Sequence, residues 1–511
     1  MPDAAVPELT ALAKDIKRAL AVSTPLISIN TPDPAATMRE LAPLMGVRPV
    51  IRWDALTGPV SMNDARISDA ALSAAASAAG YVAKAQLVNP WMFLEACYRL
   101  PEDAIVFMLN LHHALDGEKK AEVRQGLWNL RDAFKENGRC VIMLQPSLTP
   151  PLELKGDVMG FEQDFPTRAE IERVLLKQHA NANVTVPARK ILDTAIDALT
   201  GIEPFMVEQV SALAVQRGKL DVPFIQQRRC KIIATTKGLS VWQGPETFAI
   251  VGGCQTIKSF VAPLITKDIF GGVLWIDEIG DAMRGHASDS SGVGGDQHGV
   301  MLSWMADKKI PAILGVGIAG TGKSEFGKAL GNEAGRPTIR WDFGGMLGQY
   351  VGNSQDYIRN SIKVVEAVTA SRPFIIATTN DTQSLSPQLL SRFMAVFYFD
   401  LPDREERKAI WKINLDKYGV TGNRLEGYDR LLPLEWTGRE IYRCCQMTQL
   451  LDMDLDAASQ FIVPVSDSQR ETISSLRSQA NGTWLSASYP GVYKIDRQRE
   501  PRAAGERRIS A

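Results

Sequence analysis

The chain has 511 residues, too many for one ordinary core, and at about 150 residues per domain it suggests about three folded units. Hydrophobic residues make up 45% and charged residues 23%, a balance that excludes a mainly disordered chain. Lys and Arg number 57 against 58 Asp and Glu, so the overall charge offers no support for nucleic acid as the main partner.

No run approaches the roughly 18 uninterrupted apolar residues of a membrane helix. Residues 1–20 mix acids and bases at helical spacing, unlike a secretory signal. The six cysteines include no C-x-x-C pair, which predicts free thiols in a reducing cytosol. The five histidines form no H-x₃-H or H-E-x-x-H pattern, so no zinc site is expected.

From Pro25 onward, strand-like and helix-like segments alternate. Residues 26–30 (LISIN), 48–53 (RPVIRW), 104–110 (AIVFMLN) and 139–144 (RCVIML) read as buried strands, and 69–85 and 119–137 as helices. That alternation predicts a parallel α/β sheet. Residues 168–217 read as helices only, so 1–221 is expected to be an α/β layer with a helical cap. Residues 222–247, with basic residues and then Gly and Pro, read as a linker. A second α/β unit follows over 248–402 and a helical segment over 403–465. Residues 466–511 read as a polar tail whose arginine-rich end predicts disorder.

The residues that carry chemistry lie in the second unit. Gly317-Ile318-Ala319-Gly320-Thr321-Gly322-Lys323-Ser324 fits G-x-x-x-x-G-K-[ST], between a strand at 312–316 and a helix opening at Glu325. Glycines let backbone N–H groups converge on phosphate oxygens, and the helix N-terminus adds partial positive charge. In that pattern Lys323 reaches the β- and γ-phosphates and Ser324 ligates Mg²⁺. Residues 273–281 (VLWIDEIGD) form an apolar strand ending in paired acids. Asp277 is expected to hold Mg²⁺ and Glu278 to orient the attacking water. Residues 374–380 (FIIATTN) end in Asn380, which can hydrogen-bond that water or the γ-phosphate.

Together with residues 385–410 (LSPQLLSRFMAVFYFDLPDREERKAI), these motifs resemble the AAA family of the AAA+ ATPases, over about residues 248–453. The resemblance implies a P-loop parallel sheet with a helical lid, ATP and Mg²⁺ as ligands, and ATP hydrolysis. It gives Asn380 the sensor-1 role and Arg392 that of an Arg finger completing a neighbour's site. A finger acting in trans implies a homo-oligomeric ring, a hexamer being one candidate size. Arg439, in residues 437–440 (TGRE), matches a sensor-2 position; it either touches the γ-phosphate or makes a surface salt bridge. Tyr350-Val351-Gly352 resembles a pore loop that grips polypeptide, the alternative being a Tyr packed on the next helix. The reading is a cytoplasmic ATPase that remodels a protein partner, with no membrane. Two rivals share the nucleotide core: a nucleotide-binding scaffold with weak or no hydrolysis, and a DNA-acting motor or loader.

The first unit resembles the degenerate N-terminal half of a subfamily found in cyanobacteria, plastids, other bacteria and phages. Residues 34–41 (PAATMREL) stand where a P-loop would be, without GK[ST]. The strand at 104–110 is followed by Leu111, His112 and His113 in place of acids, so this unit is expected to be nucleotide-free.

One departure from the family concerns order. There the P-loop strand precedes the acid strand; here the acid strand comes first, as if residues 271–308 had moved from between Val368 and Ser371 to a place before Ile310. In a sheet ordered 5-1-4-3-2 the rearranged connections run in the usual directions. Lys323, Asp277 and Asn380 are therefore expected to converge still, with 306–311 the tightest link.

Overall fold

The computed structural model describes residues 9–63, 65–81, 84–146, 150–215, 219–280, 293–342, 354–382 and 386–495. It divides into two compact units, 1–192 with 203–220, and 193–202 with 221–511.

The first unit is built on six strands: β1 (Leu26–Asn30), β2 (Val50–Asp54), β3 (Gly58–Ser61), β4 (Ile105–Leu109), β5 (Cys140–Gln145) and β6 (Met159–Glu162). Their order is β3-β2-β4-β5-β1-β6, with only the β2–β3 pair antiparallel. The four strands read from the sequence are apolar on both faces because both faces are covered. Val106 and Met108 of β4 enter one core with Trp53, Phe93 and Phe134, while Ile105 and Phe107 enter the other with Ile27, Ile29 and Leu144.

Beyond β1 the chain enters the helix Pro34–Leu41 through a turn filled by its own side chains. Thr31 donates to Gln163 Oε1 at 2.6 Å, and Thr37 donates toward Thr31 Oγ1 at 2.8 Å and Gln163 Oε1 at 3.0 Å. Asp33 caps the helix by accepting from the Ala36 N–H at 2.9 Å. A carboxylate thus sits on the helix end that an anion would otherwise use. His112 and His113 lie on the short helix His112–Leu115 with ring centroids 3.9 Å apart. Burial, then the neighbouring His113, pushes the His112 pKa down. Among the described residues no three His, Cys, Asp or Glu side chains group as metal ligands.

The second unit is built on β7 (Leu239–Val241), β8 (Gly272–Ile276), β9 (Ala312–Gly317), β10 (Thr338–Trp341), β11 (Pro373–Thr379), β12 (Ala395–Phe399) and β13 (Leu485–Ser486). The sheet order is β13-β12-β9-β11-β8-β10-β7, parallel except for β7. The acid strand β8 lies between β10 and β11, although it precedes the P-loop strand β9 in the chain. Numbered by the motif order of the resembled family, with the P-loop strand β9 as 1, β10 as 2, the acid strand β8 as 3, β11 as 4 and β12 as 5, the central order β12-β9-β11-β8-β10 is 5-1-4-3-2, the order that β6-β1-β5-β4-β2 gives the first unit in chain order. The first unit reaches it without rearrangement.

Two crossovers make the rearranged order possible. The helix Val293–Asp307 links β8 to β9 past β11, and the helix Ser354–Val368 links β10 to β11 past β8. They lie side by side, with Trp304 Nε1 donating to Glu366 Oε1 at 2.8 Å and Lys308 3.8 Å from the same carboxylate. The short link into β9 turns at Lys309, whose φ is +49°. Residues 343–353, with Tyr350-Val351-Gly352, and residues 281–292 lie outside the described residues.

Two expectations need correction. Residues 222–247 are not a linker: Val222–Ile233 is a helix, and β7 pairs with β10. The run Asp-Val-Pro-Phe is a helix start, with Asp221 accepting from the Phe224 N–H at 3.0 Å, and Ile225 and Ile233 are buried. The segment from 466 to 495 is likewise folded. Ile473, Leu476 and Ala480 form one buried stripe of the helix Arg470–Ala480, and β13 joins the sheet beside β12. Tyr493 packs on Tyr398 with centroids 4.7 Å apart and donates to Asp400 Oδ2 at 2.5 Å. Arg477 Nε donates to Asp400 Oδ1 at 2.9 Å. A mostly polar composition hid a few well-spaced apolar residues.

Asp400→Ala should remove the carboxylate that Arg477 and Tyr493 share and cost about 3 kcal/mol. Tyr493→Phe should cost about 1 kcal/mol. Thermal and urea unfolding of the variants checks both; unchanged stability in Asp400→Ala would mean the segment is not anchored there.

Candidate functional site

All six residues of β9 are buried, so the strand delivers the glycine loop to the sheet edge in one orientation. The helix Lys323–Glu333 starts from Gly322, a left-handed cap with φ +96°. Gly320 has φ +92°, and a Cβ there would lie 2.9 Å from Arg439 Cβ, so only glycine fits.

Lys323 is 4% exposed, and its Nζ donates to Gly317 O at 2.7 Å and Ile318 O at 2.8 Å. Burial lowers its pKa to about 8, against the opposing pull of Glu278 and Asp277. Thr321 donates to Ile318 O at 2.8 Å, closing the loop on itself. Glu325 lines the cavity but pairs with Lys328 at 2.7 Å.

The paired acids reach this loop across the sheet. Ile276 of β8 is in register with Ala377 of β11, which sets Asp277 beside Thr378. Ser324 Oγ donates to Asp277 Oδ1 at 2.8 Å, and Thr378 Oγ1 donates to the same oxygen at 2.6 Å. Glu278 has a left-handed backbone, φ +51°, and its N–H donates to Thr378 Oγ1 at 3.3 Å. The Asn380 N–H donates to Glu278 Oε2 at 3.2 Å. With its amide nitrogen turned toward the acid, Asn380 also donates to Glu278 Oε1 at 2.7 Å. The structure therefore brings Lys323, Ser324, Asp277, Glu278 and Asn380 together.

The helical segment closes the other side. The helix Gly438–Leu450 is capped by Thr437 and Glu440 in a reciprocal box, and the Arg439 N–H donates to Gly320 O at 3.3 Å. Arg439 thus lies against the P-loop, exposed and lining the cavity, and makes no ion pair with a described residue. Arg392 lies elsewhere: it is exposed, beyond the short helix Pro387–Leu390, and does not line its own chain's cavity.

Between core and lid lies a cavity of about 400 Å³. Sequence reasoning missed much of its wall: Val251, Gly252 and Cys254 ahead of the helix Gln255–Thr266, and Ile410, Asn414 and Tyr442 of the lid. A Cβ on Gly252 would lie 2.4 Å from Ile410 Cγ1, a close approach that marks where that segment meets the lid. Only the V-G-G run could have signalled it. A larger cavity, about 920 Å³, lies in the first unit, lined by Thr10, Glu40 and Gln163 among others and by no residue of the phosphate-binding motif.

The donors at Ser324 and Asp277 are a hydroxyl and a carboxylate, hard oxygen ligands of the kind Mg²⁺ takes, so the residues fit that ion. The lid contact at Gly320 is testable. Gly320→Val should force Arg439 away and weaken binding of a fluorescent ATP analogue by at least about tenfold, from backbone strain of about 1–3 kcal/mol. Wild-type affinity would mean the lid does not depend on that approach.

Residues 12–163 match the family described as SpoVK-like AAA ATPase, N-terminal domain, and residues 313–371 match the ATPase family associated with various cellular activities (AAA). The second match ends just before β11, where the family's order would continue with the acid strand. The chain is similar to the uncharacterized AAA domain-containing protein ycf46 of Guillardia theta, 23% identical over 79% of this chain and 80% of the relative. It is also similar to the proteins of that name from Pyropia yezoensis, 22% identical over 77% and 85%, and Gracilaria tenuistipitata var. liui, 29% identical over 65% and 70%. The matches place an SpoVK-like AAA ATPase N-terminal domain over the first sheet and an AAA domain over the P-loop strand and helix of the second, so the chain is similar to AAA ATPases in both units.

Proposed function

We propose that the chain is a Mg-ATP-dependent ATPase that assembles into a ring and remodels a protein partner. The observation that carries the reading is the meeting of Ser324 with Asp277, and of Glu278 with Asn380, beside Lys323. In this reading the backbone of residues 317–325 and the Lys323 amine hold the triphosphate. Ser324 and Asp277 hold Mg²⁺, which offsets charge on the β- and γ-phosphates when bound. Glu278 orients and polarises the attacking water, and Asn380 holds Glu278 and senses the γ-phosphate. To bind phosphate, Lys323 must exchange its two loop carbonyls for phosphate oxygens.

The exposure of Arg392 away from its own cavity suits a residue that works on a neighbour's nucleotide. Ring assembly rests on that placement and on the family. A protein substrate rests on the family and on Tyr350. Among the described residues no helix is long and apolar enough to cross a membrane. A cytoplasmic place belongs to the reading, supported by six unpaired cysteines, five of them buried.

Steady-state phosphate release, with Lys323→Ala as the control, tests the reading. Glu278→Gln should keep ATP binding and lose turnover by at least about 10²-fold. Arg392→Ala should bind ATP, lose about 10³-fold in turnover, and recover part of it when mixed with Lys323→Ala subunits. Wild-type release no faster than Lys323→Ala would reduce the protein to a nucleotide-binding scaffold. Full turnover in Arg392→Ala would remove the shared site.

A further inference from the structure

We propose that Thr378 is a positioning residue for the metal: its hydroxyl ties the Asp277 carboxylate to the backbone of Glu278, and so sets how tightly the site takes up Mg²⁺. The inference deepens the ATPase reading and rests on its assignment of Asp277 and Glu278.

Thr378 is 1% exposed, and both capacities of its hydroxyl are used on the acid pair. The single O–H goes to Asp277 Oδ1 at 2.6 Å, and a lone pair accepts the Glu278 N–H at 3.3 Å. Asp277 Oδ1 therefore has two hydroxyl donors, Ser324 from the P-loop and Thr378 from the sheet. The first can reorient with the loop, whereas the second is held by β11. The bond to Glu278 lies at a left-handed residue, where the backbone needs outside support.

The adjacent Thr379 has a different task. Its hydroxyl donates to Asp381 O at 2.7 Å and accepts from the Asp381 N–H at 3.1 Å, closing the turn that carries Asn380. Two successive threonines thus serve the two ends of one apparatus. The rearranged order gives Thr378 its weight. Asp277 enters the site from a strand separated from β11 in sequence by the whole P-loop region, so the strand end is held by the lateral bonds it makes there. Partners behind a metal ligand commonly alter affinity by about 10–100-fold.

The test uses the full chain and a fluorescent ATP analogue, titrated in EDTA and then across Mg²⁺ concentrations. Thr378→Val keeps the shape and removes the hydroxyl; Thr378→Ser keeps the hydroxyl. The valine variant should bind the analogue in EDTA within about twofold of wild type, need at least about tenfold more Mg²⁺ for half-maximal tightening, and lose kcat with little change in KM. The serine variant should restore both the Mg²⁺ requirement and kcat. Wild-type Mg²⁺ dependence in Thr378→Val, equal loss of affinity in EDTA, or failure of serine to restore would each overturn the proposal. Thr378→Ala repeats the comparison should the valine variant not fold. Absence of phosphate release in the wild type would sink the ATPase reading alone, because the Mg²⁺ titration reads Thr378 without hydrolysis. A wild type whose affinity ignores Mg²⁺ would overturn both.

Discussion

One hydrogen bond joins the two halves of the site: Ser324 Oγ to Asp277 Oδ1 at 2.8 Å. It connects the first turn of the P-loop helix to the end of a strand that the chain completes well before reaching that loop. Without it there is a phosphate cradle on one strand and a pair of acids on another. With it the hydroxyl, the two carboxylates and Asn380 meet at one sheet edge, where Ser324 and Glu278 line the cavity, and the buried amine of Lys323 has two anions to offset its desolvation.

The constraint behind that bond is sheet adjacency. A parallel sheet brings all its strand ends to one edge, so convergence depends on which strands are neighbours and not on the order in which the chain visits them. Here β11 lies between β8 and β9 and bonds to both, which lets Thr378 and Asn380 reach the acids. The cost falls on the crossovers, each of which passes a strand, and the two helices meet this by packing on one another through Trp304 and Glu366. The first unit has the same strand order, but there Asp33 caps the corresponding helix end and Thr31, Thr37 and Gln163 hydrogen-bond to one another across the turn.

Legibility in the sequence followed the range of the physics. The glycine loop, the acid pair and the Asn-ended strand are local patterns, and each could be placed from its own residues. Convergence of Lys323, Asp277 and Asn380 was readable only because a strand order could be assumed. The cavity wall at Gly252, Ile410 and Asn414 was not readable, since it depends on how core and lid meet. Nor was Thr378, which looks like any β-branched strand residue until its neighbour is known. Composition misled twice. Basic and Pro-containing residues 222–233 form a well-capped helix, and the polar stretch beyond 466 hides the buried Ile473 and Leu476 and the Tyr493 that holds it to Tyr398 and Asp400.

The most direct measurement is a crystal structure of the full chain with Mg²⁺ and a non-hydrolysable ATP analogue. The account predicts Ser324 Oγ on the ion, the Asp277 carboxylate in or beside its coordination shell, and Glu278 facing the γ-phosphate from the neighbouring strand. An analogue bound in the glycine loop with Asp277 and Glu278 turned to a different edge of the sheet would contradict it.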